Sequence, residues 1–275
     1  MAPLHLARTG AGPRIVLVHG SIGAGWEAWD AQRPLADRFE LVVLWRSGYA
    51  PNPPLDVLDL DVQAAEVAAL LQPGDHLVGH SYGAVVALAA AAQVAPMLAS
   101  LVVVEPPAFA LVPDDPAVRA FEDGLRGALV GITEPVRYFG TFLTQMGVPE
   151  DELPDALPPA LEDRVRSFMG ETWPGDAEID LEPIRATALP VLVVSGGWHP
   201  AFDAVCDLLE RELRAERVVL PEYGHSIPEL GDPFNETLAA FVDGVERGIA
   251  AAVEADGGVD GDHHDLPDDG RGLPQ

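Results

Sequence analysis

GDHLVGHSYGAVVALAAAAQV, residues 74–94, is the stretch from which the fold is read. Residues 74–80 (GDHLVGH) have the apolar, β-rich character of a strand running into a sharp turn. Residues 83–94 (GAVVALAAAAQV) are alanine-rich and apolar on every side, the mark of a buried helix. Ser81 stands at the junction, with Gly79 and Gly83 two residues to either side. A serine held on a strained strand-to-helix turn projects its hydroxyl above the end of a sheet, and the flanking glycines permit the close backbone approach that such a turn needs. G-x-S-x-G arises often by chance. Here a strand precedes it and a long apolar helix follows.

Outward from this turn the same rhythm repeats. Short β-branched runs at 14–19 (RIVLVH), 39–45 (FELVVLW), 101–105 (LVVVE), 190–195 (PVLVVS) and 217–220 (RVVL) read as buried strands. Between and after them, residues 26–37, 59–71, 201–214 and 234–253 read as helices. The alternation predicts an α/β fold, a mostly parallel sheet wrapped by helices. The rhythm breaks over residues 108–188, where helical fragments (118–130, 135–146, 160–168) are cut by prolines. That stretch reads as a helical lid over the strand ends, because its apolar positions are too few for a core of its own. Residues 1–107 and 189–254 make up the core. From 255 to 275 the chain turns rich in Gly, Asp and Pro and reads as a disordered acidic tail; His263 and His264 lie within it.

Two further elements complete a chemistry. His19-Gly20-Ser21-Ile22-Gly23 follows directly on the strand at 14–19. Such a loop supplies one backbone N–H to an oxyanion hole, and the residue after the nucleophile, Tyr82, supplies the other. Gly20, Ser21 and Ile22 are all candidates for the first donor, with Ser21 favoured. His225, in Glu222-Tyr223-Gly224-His225-Ser226, is the one histidine of eight in a loop beyond the last strand. A serine hydroxyl is a poor nucleophile until a neutral imidazole removes its proton, and His225 is placed to do so.

On these three matches the chain resembles the α/β-hydrolase family over roughly residues 4 to 250. The order of strand, HGS loop, serine turn, lid and late histidine is the family's own. The resemblance implies an eight-stranded, mostly parallel sheet and Ser–acid–His catalysis. It does not name a substrate, since the fold hosts esterases, lactonases, thioesterases, carbon–carbon hydrolases and a few receptors.

The acid departs from the usual pattern. The family's carboxylate usually stands three residues past a glycine after the strand written here PVLVVS. Counted from Gly196 that position is His199, with Asp203 four residues further on. The alternative location is the end of the strand after the serine-bearing helix, where Glu105 stands in VVVEPP. A carboxylate ending a buried apolar strand is costly unless paired. Glu105 is therefore the favoured acid, with Asp203 the competitor; zearalenone lactonases are similar in placing it there.

Composition narrows the partners. The formal net charge is −28, and all sixteen basic residues are arginine. That balance excludes a nucleic-acid partner, which demands clustered positive charge, and an anionic membrane surface. No apolar run approaches the roughly 18 residues of a membrane span. The first residues lack the pattern of a secretory leader, and the lone Cys206 cannot form an internal disulfide, so a cytoplasmic setting is expected. The expectation is thus a hydrolase of a carboxylic ester or lactone working through an acyl-enzyme, with a small-molecule substrate and neither metal nor organic cofactor. Phe109, Phe139, Phe142, Met146, Phe168 and Trp173, with Trp198, are candidate contacts to an apolar substrate. A thioesterase, a carbon–carbon hydrolase or a non-turnover receptor would use the same triad.

Overall fold

The computed structural model describes residues 3–222 and 224–257. Seven strands form one sheet: β1 (Leu6–Thr9), β2 (Arg14–Val18), β3 (Glu40–Leu44), β4 (His76–His80), β5 (Ser100–Val104), β6 (Val191–Ser195) and β7 (Glu216–Val219). Their order is β1-β3-β2-β4-β5-β6-β7. Every pairing is parallel except β1 with β3. The eight strands implied by the resemblance are seven among the described residues. β1, whose LART carries no readable polarity pattern, takes the outer side of β3 and is itself the edge.

Nine α-helices accompany the sheet among the described residues: α1 (Trp26–Trp29), α2 (Leu60–Leu70), α3 (Tyr82–Val94), α4 (Pro116–Leu129), α5 (Pro135–Gln145), α6 (Pro159–Gly170), α7 (Glu182–Ala186), α8 (Pro200–Leu213) and α9 (Asp232–Gly257). Local chemistry sets several of their starts. Asp59 accepts the Val62 N–H ahead of α2, and Asp115 accepts the Ala117 and Val118 N–H groups ahead of α4, with Pro116 at the first helical position. The helix expected over 26–37 is α-helical only in its first turn. Residues Asp30–Asp37 tighten into a 3-10 helix that contains Pro34, which has no N–H to give.

Strand alternation sorts the core into two layers. Val16, Val18, Leu77, Leu101, Val103, Val191 and Val193 pack against α2, α3 and α8. The neighbours Ile15, Leu17, Val78, Val102, Leu192 and Val194 pack on the other side against Trp29, Phe39 and the Phe234, Leu238 and Val242 face of α9. α3 is buried nearly all round, as its alanine content requires. α2 buries Leu60, Gln63, Ala64, Val67 and Ala68, leaving Val62 in solvent; Gln63 sits inside because its side-chain oxygen accepts a bond from Arg46.

Between β5 and β6 the chain leaves the sheet for α4, α5, α6 and α7. The apolar side of α4 (Val118, Phe121, Leu125, Leu129) joins the α3/α8 layer of the core. α9 runs to Gly257, and the rest of the expected tail, with His263 and His264, lies outside the described residues. Among the described residues no helix is long and apolar enough to cross a membrane.

Candidate active site

Ser81 and Glu105 leave adjacent parallel strands at the same level. β4 and β5 pair His80 with Val104, and the next residue on each is Ser81 or Glu105. Both turn away with positive φ, 54° and 51°, a conformation that costs a non-glycine residue about 1–3 kcal/mol and clusters at functional sites. The Ser81 N–H is held by the Val104 carbonyl at 2.9 Å, and the Glu105 N–H by that of Val194 at 2.9 Å. The glycines around Ser81 are set by close approach. A Cβ on Gly79 would stand 2.4 Å from the Gly83 carbonyl oxygen, and one on Gly83 would stand 2.3 Å from that of His19.

The structure brings Ser81, His225 and Glu105 together. The Ser81 hydroxyl lies 2.8 Å from His225 Nε2, and His225 Nδ1 lies 3.0 Å from Glu105 Oε2. A carboxylate only accepts, so Nδ1 carries the proton and Nε2 offers its lone pair to the hydroxyl. Glu105 is fully buried and satisfied by two more donors, the Gly196 N–H at 2.7 Å and the Trp198 indole N–H at 2.7 Å. Burial pushes the Glu105 carboxyl upward, but bonds from His225, Trp198 and Gly196 outweigh it and hold the group below the usual range. Trp198 thus grips the acid as well as lining the outer part of the site.

Asp203 stands elsewhere. Its carboxylate accepts from Ser195 Oγ at 3.0 Å and Arg217 Nη2 at 3.2 Å. His199, at the position usual for the acid, accepts the Ala201 N–H at 3.1 Å and starts α8.

Tyr82 is the first residue of α3, so its N–H has no acceptor within the helix. The loop of residues 19–23 lies against the serine turn: a Cβ on Gly20 would stand 3.1 Å from that of Ser81. Ser81 sits between two cavities. The inner one, about 60 Å³, is lined by Phe109, Phe121, Phe142, Phe168, Trp173 and Phe202 among others; the outer one, about 560 Å³, is lined by Ile22, Leu143, Leu161, Trp198 and His225 among others. Phe142 and Met146 face both, and Phe139 only the outer. The Trp173 indole N–H donates to Glu122 at 2.7 Å.

Sequence reasoning passed over two groups here. His80, half-buried and lining the outer cavity beside Ser81, donates through Nε2 to the His225 carbonyl at 2.7 Å; loss of solvent and then the nearby His225 lower its pKa to about 3, so it stays neutral. Arg46, Tyr49 and Glu171 form a buried cluster behind the 19–23 loop. His80 was visible as the middle residue of Gly79-His80-Ser81; the other three carry no motif.

A sequence profile described as "Alpha/beta hydrolase family" matches residues 15–240. The chain is 31% identical over 221 residues to the N-formylmaleamate deformylase of Pseudomonas putida, covering 75% of this chain and 78% of that protein. It is 33% identical over 132 residues to a pimeloyl-[acyl-carrier protein] methyl ester esterase of Methylococcus capsulatus, covering 44% of this chain and 50% of that one. Among solved structures, a thermophilic esterase from Thermogutta terrifontis superposes with a TM-score of 0.64 at 23% identity, covering 88% of this chain and 93% of that one. An alpha/beta hydrolase from Sphaerobacter thermophilus does so with 0.65 at 24%, covering 86% and 95%. Those two likenesses speak to the fold alone. The profile match spans most of the sequence, and with it the chain belongs to the alpha/beta hydrolase family.

Proposed function

We propose that this protein is a serine hydrolase that cleaves a carboxylic ester or lactone of an apolar small molecule through an acyl-enzyme. The observation that carries the reading is the continuous chain Ser81–His225–Glu105, at 2.8 and 3.0 Å, ending in a buried, fully bonded carboxylate. Ser81 Oγ attacks the substrate carbonyl carbon while His225 Nε2 takes its proton. Glu105 keeps the imidazole in the accepting tautomer and stabilises its cation. The N–H groups of Ser21 and Tyr82 hold the developing oxyanion. Collapse of the tetrahedral adduct expels the leaving oxygen, which takes the proton from His225. Water then repeats the sequence on the acyl-enzyme.

The two cavities divide the substrate. His225 lines the outer cavity and not the inner one, and it must reach the leaving oxygen to protonate it. The alcohol therefore lies in the open outer space and the acyl group in the narrow inner one. The inner cavity, about 60 Å³ against about 560 Å³ for the outer one, is the tighter of the two, which favours short acyl groups over long ones. Residues 108–188 serve as the lid that walls this inner space. A net charge of −28 disfavours polyanionic acyl carriers by long-range repulsion, which weighs for neutral esters over thioesters of phosphorylated thiols. A second reading, hydrolysis of a short N-acyl group, is favoured by the deformylase relative.

A panel of p-nitrophenyl esters from acetate to octanoate, simple lactones, acyl thioesters and N-formyl anilides tests the reading, run on wild type and on Ser81→Ala. The expected result is turnover of short esters or lactones, lost by on the order of 10⁶ in Ser81→Ala. Undiminished turnover by purified Ser81→Ala overturns the central assignment. N-formyl anilides outrunning every ester moves the substrate class to the second reading.

A further inference from the structure

We propose that Glu171, the residue directly after helix α6, is a positioning residue for the oxyanion loop, so that the donor at Ser21 is aimed only when the α6 segment is seated. This deepens the serine-hydrolase reading and rests on it. The Glu171 side chain is 3% exposed. Its Oε2 accepts from the Ser21 hydroxyl at 2.5 Å, and its Oε1 accepts from Arg46 Nη2 at 2.5 Å and lies 2.7 Å from the Tyr49 hydroxyl. Arg46 is itself fully buried, and Glu171 is its counter-charge.

Two arginines grip the loop by its carbonyls, and Tyr49 shares its one hydroxyl proton between Glu171 Oε1 and a loop carbonyl. Arg46 Nη2 donates to the Gly20 oxygen at 2.8 Å, the Tyr49 hydroxyl lies 2.8 Å from the Ser21 oxygen, and Arg164 Nε of α6 donates to the Ile22 oxygen at 2.8 Å. His19 adds a second bond to the Gly20 oxygen through Nδ1 at 2.7 Å, its other ring nitrogen accepting the Arg46 N–H at 3.0 Å. A trans peptide is planar, with its C=O and N–H pointing in opposite directions. Holding the Gly20 oxygen therefore aims the Ser21 N–H, the donor assigned to the oxyanion. Burial first, and then the adjacent Glu171 carboxylate, push the Tyr49 hydroxyl well above its ordinary range, so it remains a donor. From behind, Glu171 is fixed by Leu58, whose N–H donates to the Gly170 oxygen at 2.8 Å and whose carbonyl accepts from Thr172 at 3.0 Å. Glu171 also borders the inner cavity, so lid, acyl space and oxyanion loop meet at one carboxylate.

The test compares wild type, Glu171→Gln and Tyr49→Phe as full chains. Tyr49→Phe keeps the buried Arg46–Glu171 pair, and so remains informative if Glu171→Gln does not fold. Readouts are kcat and KM per titrated active site on p-nitrophenyl acetate, the melting temperature, and Ki for an aryl trifluoromethyl ketone. That ketone accepts Ser81 Oγ at its carbonyl carbon, sends the serine proton to His225 and leaves an alkoxide in the oxyanion hole. In Glu171→Gln, kcat is expected to fall by about 10²–10³, the size of losing one oxyanion donor. KM stays within about threefold and ketone affinity weakens in step with kcat. Tyr49→Phe moves the same quantities by about tenfold. The proposal is overturned if both variants keep wild-type kcat per active site, or if KM rises while kcat and ketone binding hold. A wild type that turns over no ester, lactone or amide fails the underlying reading and this proposal with it; an active wild type with unaffected variants fails this proposal alone.

Discussion

Replacing Glu105 by Gln should cripple the enzyme while Asp203→Asn leaves it nearly intact. The Glu105 carboxylate accepts three bonds, from Gly196 N–H, Trp198 Nε1 and His225 Nδ1. A primary amide has one accepting end and one donating end. With its oxygen toward Trp198 and His225, the NH2 meets the Gly196 N–H, donor against donor, at a cost of roughly 1–3 kcal/mol in stability. The imidazolium formed during catalysis also loses its counter-charge, worth about 4 kcal/mol near 4 Å at an effective dielectric of ~20, or about 10³ in rate. With the NH2 toward His225 instead, Nδ1 must offer a lone pair and the proton moves to Nε2, where it blocks deprotonation of Ser81. Loss of the tautomer in this way costs about 10⁴ in a serine protease. Turnover of p-nitrophenyl butyrate, per titrated active site, should therefore drop by about 10³–10⁴. Asp203 is 36% exposed, and its ion pair with Arg217 is of the kind worth about 0–1 kcal/mol, so its amide should keep turnover within about threefold. Glu105→Gln retaining more than about a tenth of wild-type turnover, or Asp203→Asn losing more than Glu105→Gln, would refute the reasoning.

Two further expectations follow from the surroundings of the triad. His80 has a folded pKa of about 3 against an ordinary 6.5, so below pH 6.5 the unfolded chain binds a proton there that the native state does not. Stability then falls as pH falls, by about 1.4 kcal/mol per unit from this group between roughly pH 6 and 4; urea unfolding at pH 7, 5.5 and 4.5 should show His80→Gln losing that slope, and an unchanged slope contradicts the assignment. Trp173 lines the inner cavity, donates to Glu122 and lies under the Arg126 guanidinium at 4.5 Å. Trp173→Ala should raise KM or shift acyl-length preference while acetate esters keep most of their kcat, whereas an equal loss of turnover on every ester would make the residue structural.

The strands were legible because a parallel sheet covered on both sides needs unbroken apolar runs, and RIVLV, ELVVL, SLVVV and VLVVS are such runs. LART was not, because a four-residue edge strand with one paired side needs no such pattern. Gly79, Ser81 and Gly83 were readable since the turn they make constrains adjacent positions. α2 was placed as a helix, but nothing local marks Gln63 as inward: it is buried for the sake of Arg46, an arginine in a different segment. Arg46, Tyr49 and Glu171 lie up to 125 residues apart and meet only through tertiary structure. No local periodicity marks such residues.

The position of Glu105 shows how far strand-end reasoning reaches. Parallel pairing puts Ser81, Glu105 and Ser195 at one level, since His80 pairs with Val104 and Val104 with Val194. A carboxylate on either of the two strands beyond β4 is therefore near the imidazole, provided the other strand gives way. Here β6 gives way completely. Ser195 turns to Asp203 and Arg217, Gly196 offers only a backbone N–H, and Trp198 offers an indole N–H. A Cβ on Gly196 would stand 2.1 Å from the Gly224 carbonyl oxygen, so the loop that carries His225 passes directly over this glycine. The segment where the family resemblance leads one to look for the acid instead supplies two donors to Glu105. That arrangement explains why Glu105 can be both fully buried and charged: three donors replace the water it lost, and two of them come from that segment.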